Sequence, residues 1–150
     1  MKLHPHLIQR ESFSVEILGD EMEIKSDLLN ESMVKMISSR MTVQIEERKL
    51  SKITDRSSHL SFLEKALDDI QAKEDQEGRF FIEDPEIMPV PERSLLIQDG
   101  ITDQKIRIIT FLAITSHQEE DYFSMIRGCI PDDAALTQAF IQSVFETFKS

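Results

Sequence analysis

Between Gly19 and Gly78 the chain has neither glycine nor proline. A polypeptide free of its two main backbone breakers over that distance can run as long helix, so helical scaffold is expected in the middle of the molecule, between two regions of strand character. Cysteine is nearly absent too. Cys129 stands alone, which excludes an internal disulfide and suits a reducing compartment. No apolar run approaches the roughly 20 residues of a membrane span. The opening MKLHPHLIQR carries a proline and two histidines where a secretory signal places a long apolar block, so a cytoplasmic protein with no membrane partner is expected. Four glycines leave little material for phosphate-cradling loops, and the chain shows no nucleotide fingerprint, no zinc spacing and no serine elbow.

What is present fits an ordinary globular chain. With 150 residues, 40% hydrophobic and 30% charged, one domain spanning 1–150 is expected, able to bury roughly 70% of its unfolded surface. The net charge of −11 repels phosphate backbones and anionic lipids, so neither nucleic acid nor membrane is an expected partner. Against this acidic background Arg48, Lys52 and Arg56 repeat every fourth position. On a helix they would form one basic stripe, either a dock for an acidic partner protein or a solvated face balanced by Glu46, Glu47 and Asp55.

Residues 1–11 are expected to be a mobile segment. Phe13, Val15 and Ile17, then Met22 and Ile24, alternate with polar residues around Gly19-Asp20, which predicts a hairpin. Leu29, Met33, Met36, Ile37 and Met41 recur at helical spacing behind Ser26, predicting a helix over 27–40. From Met41 to Ser58 the signals conflict, because Met41, Val43 and Ile45 alternate like a strand; a helix-rich reading is favoured. Leu60, Leu63, Leu67 and Ile70 predict a helix over 58–75, facing either this chain or a second copy.

After Gly78, strands are predicted at 79–83, 94–98 and 105–114, with Asp99-Gly100 as a turn and the proline-rich DPEIMPVPER as a connector. The 105–114 strand is apolar on both faces toward its end, so it should lie inside the sheet. Ser116 and Glu119 have capping-box spacing, predicting a helix that carries Tyr122, Phe123 and Ile126 inward and ends near Gly128. A last helix begins near Pro131. Its stripe of Leu136, Phe140, Val144 and Phe148, widened by Ile141 and Phe145, predicts either deep packing or an interface. The sum is an α+β fold with a mostly antiparallel sheet of about five strands against about four helices.

Chemistry-bearing residues are few. His4 and His6 have the i, i+2 spacing of a metal pair but no third ligand nearby in sequence, so no metal is assigned. His117 beside Glu119, Glu120 and Asp121 is a candidate polar site, or simply a solvated helix start. His59 reads as a surface residue at a helix start, and Cys129, expected at a helix C-terminus, as a packing thiol. The many carboxylates lack the rhythm of a calcium loop. No cofactor and no catalytic residue is assigned.

The run KIRIITFLAI, an acidic helix start and then DDAALTQAFIQSVFETF resembles the end of mannitol/fructose-type phosphotransferase IIA domains. The resemblance covers about a third of the chain and implies a central strand before two helices. That family carries a phosphorylated histidine after a strand, and RFFIEDPE has none, so the resemblance implies at most a regulatory relative without the chemistry.

Two functions are therefore weighed. One is a non-enzymatic protein-binding module of adaptor, regulatory or chaperone-like type, homo-oligomeric in one form, using the basic stripe or Phe140, Val144 and Phe148. The other is a small-ligand-binding or enzymatic domain with a pocket between sheet and helices.

Overall fold

The computed structural model describes residues 2–26, 32–51 and 55–150. In chain order these form β1 (His4–Gln9), β2 (Ser14–Gly19), β3 (Glu23–Ser26), β4 (Met33–Ile37), β5 (Thr42–Lys49), α1 (His59–Gln76), β6 (Glu86–Val90), β7 (Leu95–Ile101), β8 (Ile106–His117), β9 (Glu120–Pro131) and α2 (Ala134–Thr147). β1 and β2 make a two-stranded antiparallel ribbon. The other seven strands form one antiparallel sheet in the order β3-β4-β5-β9-β8-β7-β6.

The α+β class stands, but its make-up differs from expectation, with nine strands and two helices among the described residues. The helix expected over 27–40 gives way to a strand at Met33–Ile37, and residues 27–31 lie outside the described part. Likewise the doubtful stretch from Met41 to Ser58 holds strand β5 and a 3-10 turn at Arg56–Ser58, with residues 52–54 outside the described part. Lack of glycine and proline permits a helix without requiring one, and Val34, Ile37, Thr42, Val43 and Ile45 are β-branched residues that fit a pleated surface better.

The helix expected after Ser116 is strand β9. Gln118 and Glu119 both take positive φ, 53° and 64°. They form a two-residue turn that pairs His117 with Glu120 and carries β8 into β9 across twelve antiparallel residue pairs. Cys129 therefore sits within a strand. Nor does Gly19-Asp20 close a hairpin: β2 pairs with β1, in the segment expected to be mobile, and β3 pairs with β4. The turn expected at Asp99-Gly100 lies later, at Thr102 to Lys105, and 79–83 contributes an isolated bridge from Phe81 to Thr102. The connector DPEIMPVPER holds strand β6. The two helices at 59–76 and 134–147 and the strands β7 and β8 agree in place with expectation.

The two helices cover opposite faces of the sheet. α2 and the β1–β2 ribbon cover one face, closing a core that includes Ile17, Met36, Ile45, Ile109, Ile126 and Phe140. Gly128 matters there, because a Cβ at that position would stand 2.7 Å from the Phe140 ring, so only glycine lets the ring lie on β9. α1 covers part of the other face, with Leu63 and Leu67 against Leu96, Leu112, Phe123 and Met125. Asp133 caps α2 by accepting the Leu136 N–H at 3.0 Å, as a helix start requires.

Candidate functional site

The residues singled out in the sequence do not form one site. Arg48 lies on β5 and Arg56 in a short 3-10 turn at Arg56–Ser58, so they share no helix, and Lys52 falls outside the described residues. Arg48 stacks over the Phe123 ring at 4.8 Å, while Arg56 donates to the Glu92 carbonyl. Phe140 and Val144 are fully buried, so they fill the core rather than face a partner. Phe148 is half-buried and stacks on Phe13 with ring centroids 5.0 Å apart. His117, Glu119 and Glu120 sit exposed at the β8–β9 turn. There Glu120 pairs with Lys49 at 3.2 Å, and that hydrogen bond raises the lysine's proton affinity above its ordinary range. His4 and His6 are on β1, and among the described residues no group of three potential metal ligands assembles.

Several concave regions remain among the described residues, and two of them combine apolar walls with charged groups. The larger, about 640 Å³, lies between α1 and the half of the sheet that α1 leaves uncovered. Its walls are Phe62, Ala66 and Ile70 on the helix and Met33, Gln44 and Glu46 on β4 and β5. On its floor Arg127 donates to Glu74, whose other oxygen takes Arg79 at 3.2 Å. Both Arg127 and Glu74 are nearly buried, and the Arg127 Nε has no hydrogen-bond partner among the described residues. The Glu74 link fixes the last turns of α1 to the middle of β9.

The second region is apolar and lies beside α2. Met88 and Ile97 pair directly across β6 and β7, and with Ile109, Ile141 and Phe145 they enclose a cleft of about 290 Å³. The arrangement follows from the helix spacing: Gln138, Ile141, Gln142 and Phe145 fall at i, i+3, i+4 and i+7, one flank of α2, facing the outer strands. Phe145 is 39% exposed and Met88 49%, so the cleft has apolar walls open to solvent. Arg93, just past β6, donates to the carbonyls of Phe145 and Phe148 at 3.0 and 3.1 Å and stacks on the Phe145 ring at 4.8 Å, tying the two walls together.

Glu86 and Asp99 close one end of the cleft and also line an adjoining hollow of about 400 Å³ with Glu83, Asp84 and Arg107. Asp99 grips Arg107 through two hydrogen bonds of 2.8 and 2.9 Å, the main reason that the guanidinium's proton affinity is raised. The two hollows form one trough, apolar at the α2 end and acidic at the other.

Strand β6 borders this trough and ends the sheet. The Ile82 N–H donates to Ile101 and the Ile114 N–H to Ser94, so the odd-numbered residues of β7 turn their amides toward β6 and the even-numbered ones toward β8. Given the pairing of Met88 with Ile97, Ile87 and Pro89 then face outward. Proline has no N–H, so the outer edge of β6 offers a single donor, that of Ile87. This edge is closed to an added strand.

No protein-family model matches the chain, and comparison with curated proteins found no match. The resemblance to phosphotransferase IIA domains predicts a central strand followed by two helices, whereas β8 is followed by β9 and one helix. Among the described residues no helix is long and apolar enough to cross a membrane.

The trough was only partly visible in the sequence. Ile141 and Phe145 stand out as the residues that widen the last helix's stripe. Its other wall lies in a proline-rich segment that reads as a connector, and only the pairing of β6 with β7 brings it alongside.

Proposed function

We propose that this chain is a non-enzymatic protein-binding module of the cytosol that docks a partner in the trough between α2 and β6–β7. The observation that carries this reading is the cleft made by Met88, Ile97, Ile109, Ile141 and Phe145. Its open apolar walls suit the insertion of anchoring side chains. Open apolar walls next to a charged rim are the surface anatomy of a protein interface. The ties from Arg93 support the reading, since a cleft held in shape before binding loses less entropy when occupied.

Photo-crosslinking in the native cell tests it. A benzoylphenylalanine placed at Met88 or at Phe145 is expected to capture one and the same protein, while one placed at Ile24, exposed on the opposite sheet edge, does not. Equal capture from all three positions, or none from the first two, refutes the reading.

A second reading has one observation in its favour. The groove under α1 lies within the small-molecule size range, and its floor holds the nearly buried Arg127, whose Nε has no partner among the described residues. A small anionic ligand there would raise the melting temperature; a flat response to a panel of carboxylates and phosphate esters removes this alternative.

A further inference from the structure

We propose that the occupant of the trough is a basic amphipathic helix of a partner protein, with apolar side chains on one face and lysine or arginine beside them. This rests on the reading of the trough as a docking site and names what fits it. Three features of the surface converge on that chemistry.

The first is backbone geometry. A partner cannot add a strand to β6, because Pro89 removes the amide that the outer edge would need. It must be read through side chains, from above the sheet face. The flank of α2 and the face of β6–β7 make two walls of a channel, and a helix lying beside α2 fills such a channel with residues at i, i+3, i+4 and i+7.

The second is the local charge. Arg107 is held by Asp99. Glu83, Asp84 and Glu86 have no ion-pair partner among the described residues, and each lines the end of the trough. A helix that seats its apolar side chains against Ile141 and Phe145 carries its next residues over these carboxylates. Lysine or arginine there is attracted; aspartate or glutamate is repelled.

The third is the charge of the whole chain. At −11, it steers a basic partner toward itself and repels its own copies. Two copies of the chain, each at −11, repel one another, and a twofold contact centred on Glu83, Asp84 and Glu86 would set like charges face to face, so a second copy is disfavoured as the occupant.

The test uses a fluorescein-labelled designed helix with leucines at i, i+3, i+4 and i+7 on one face and lysines on the other, and a matched peptide with every lysine replaced by glutamate. Fluorescence anisotropy with the full chain is expected to show the lysine helix binding at least about tenfold tighter, with an affinity that falls as salt rises. Replacing Met88→Ala and Phe145→Ala together, or Glu83→Gln, Asp84→Asn and Glu86→Gln together, should each weaken it about tenfold or more. Neutralising Asp68, Asp69 and Asp75 on α1 to asparagine should change it less than about twofold, which separates the trough from a general effect of net charge. Circular dichroism confirms that each variant is folded. If the glutamate helix binds equally well and Met88→Ala/Phe145→Ala still abolishes binding, the basic partner is wrong and the docking site survives. Binding that ignores Met88→Ala/Phe145→Ala, or no binding of either helix, overturns the inference; the crosslinking from Met88 and Phe145 then decides the docking site separately.

Discussion

The two faces of the sheet are closed by different means. On the face under α2 and the β1–β2 ribbon, the buried carboxylate of Glu47 takes its close hydrogen bonds from the Ser12 N–H and hydroxyl, 2.8 and 2.6 Å away, with Arg10 standing farther off at 3.8 Å. The Ser12 hydroxyl continues to Thr115, and Thr115 to Ser124, in a chain of short hydrogen bonds that pins the ribbon to the sheet. On the face under α1, Glu74 is instead satisfied by Arg127 and Arg79, and a groove stays open beside the helix. One face is a continuous core. The other is a single helix resting on a smaller apolar cluster and the ion-paired Glu74. The difference teaches that the first face carries most of the stability, while the trough proposed for docking lies at its margin, where α2 leaves the outer strands uncovered.

Breaking the closed face should have the largest effect. Phe140 is fully buried and packs edge-on to Phe111, so Phe140→Ala should cost about 3–5 kcal/mol, read as a lower urea midpoint. On the other face, Glu74→Leu leaves the nearly buried Arg127 without its partner and should cost about 3 kcal/mol. The double variant Glu74→Leu/Arg127→Met should recover most of that loss, since two apolar side chains replace the pair without stranding a charge. An unfolding series in which the double variant is no better than the single one would show that the ion pair is not what holds α1.

Smaller effects sharpen the comparison. Gly128→Ala forces the Phe140 ring to move and should cost about 1–3 kcal/mol, measured by the same unfolding curves. Native-state hydrogen exchange should show the amides of α1 opening at lower free energy than those of α2, because α1 has fewer buried anchors. Equal protection of the two helices would remove the distinction between the faces. At the small end, Met88→Ala and Phe145→Ala should each change stability by less than about 1 kcal/mol, since both side chains are partly exposed. The proposed docking role places their effect on binding instead.

How much of this was legible in the sequence depends on the kind of signal. The rhythm of Leu60, Leu63, Leu67 and Ile70 located α1, and the stripe from Leu136 to Phe148 located α2, since each needs an apolar flank against the sheet. β8 was legible as an inner strand because both its faces are apolar. β4 was hidden, and the alternation of Met41, Val43 and Ile45 that marks β5 was outweighed, by taking the missing glycine and proline as evidence for helix, when it shows only that nothing breaks the chain. β9 was hidden because its turn uses Gln118 and Glu119 at positive φ, where asparagine or glycine is the usual signal. The helix-start spacing of Ser116 and Glu119 then pointed the wrong way. Of the trough, α2 supplied a visible half. Met88 and Glu86 were unreadable as partners of Ile97 and Asp99, because an edge strand with a proline in it has the same composition as a loop.

The central claim is that the trough beside α2, and not the groove under α1, is where this protein meets its partner. Amide chemical-shift mapping during titration with the lysine-faced helix tests it most directly. The account predicts that the perturbed amides cluster on β6, β7 and the outer flank of α2 around Met88, Asp99 and Phe145, with α1 unmoved. Perturbations centred on α1 and the β5–β9 floor around Arg48 and Arg127 would contradict it.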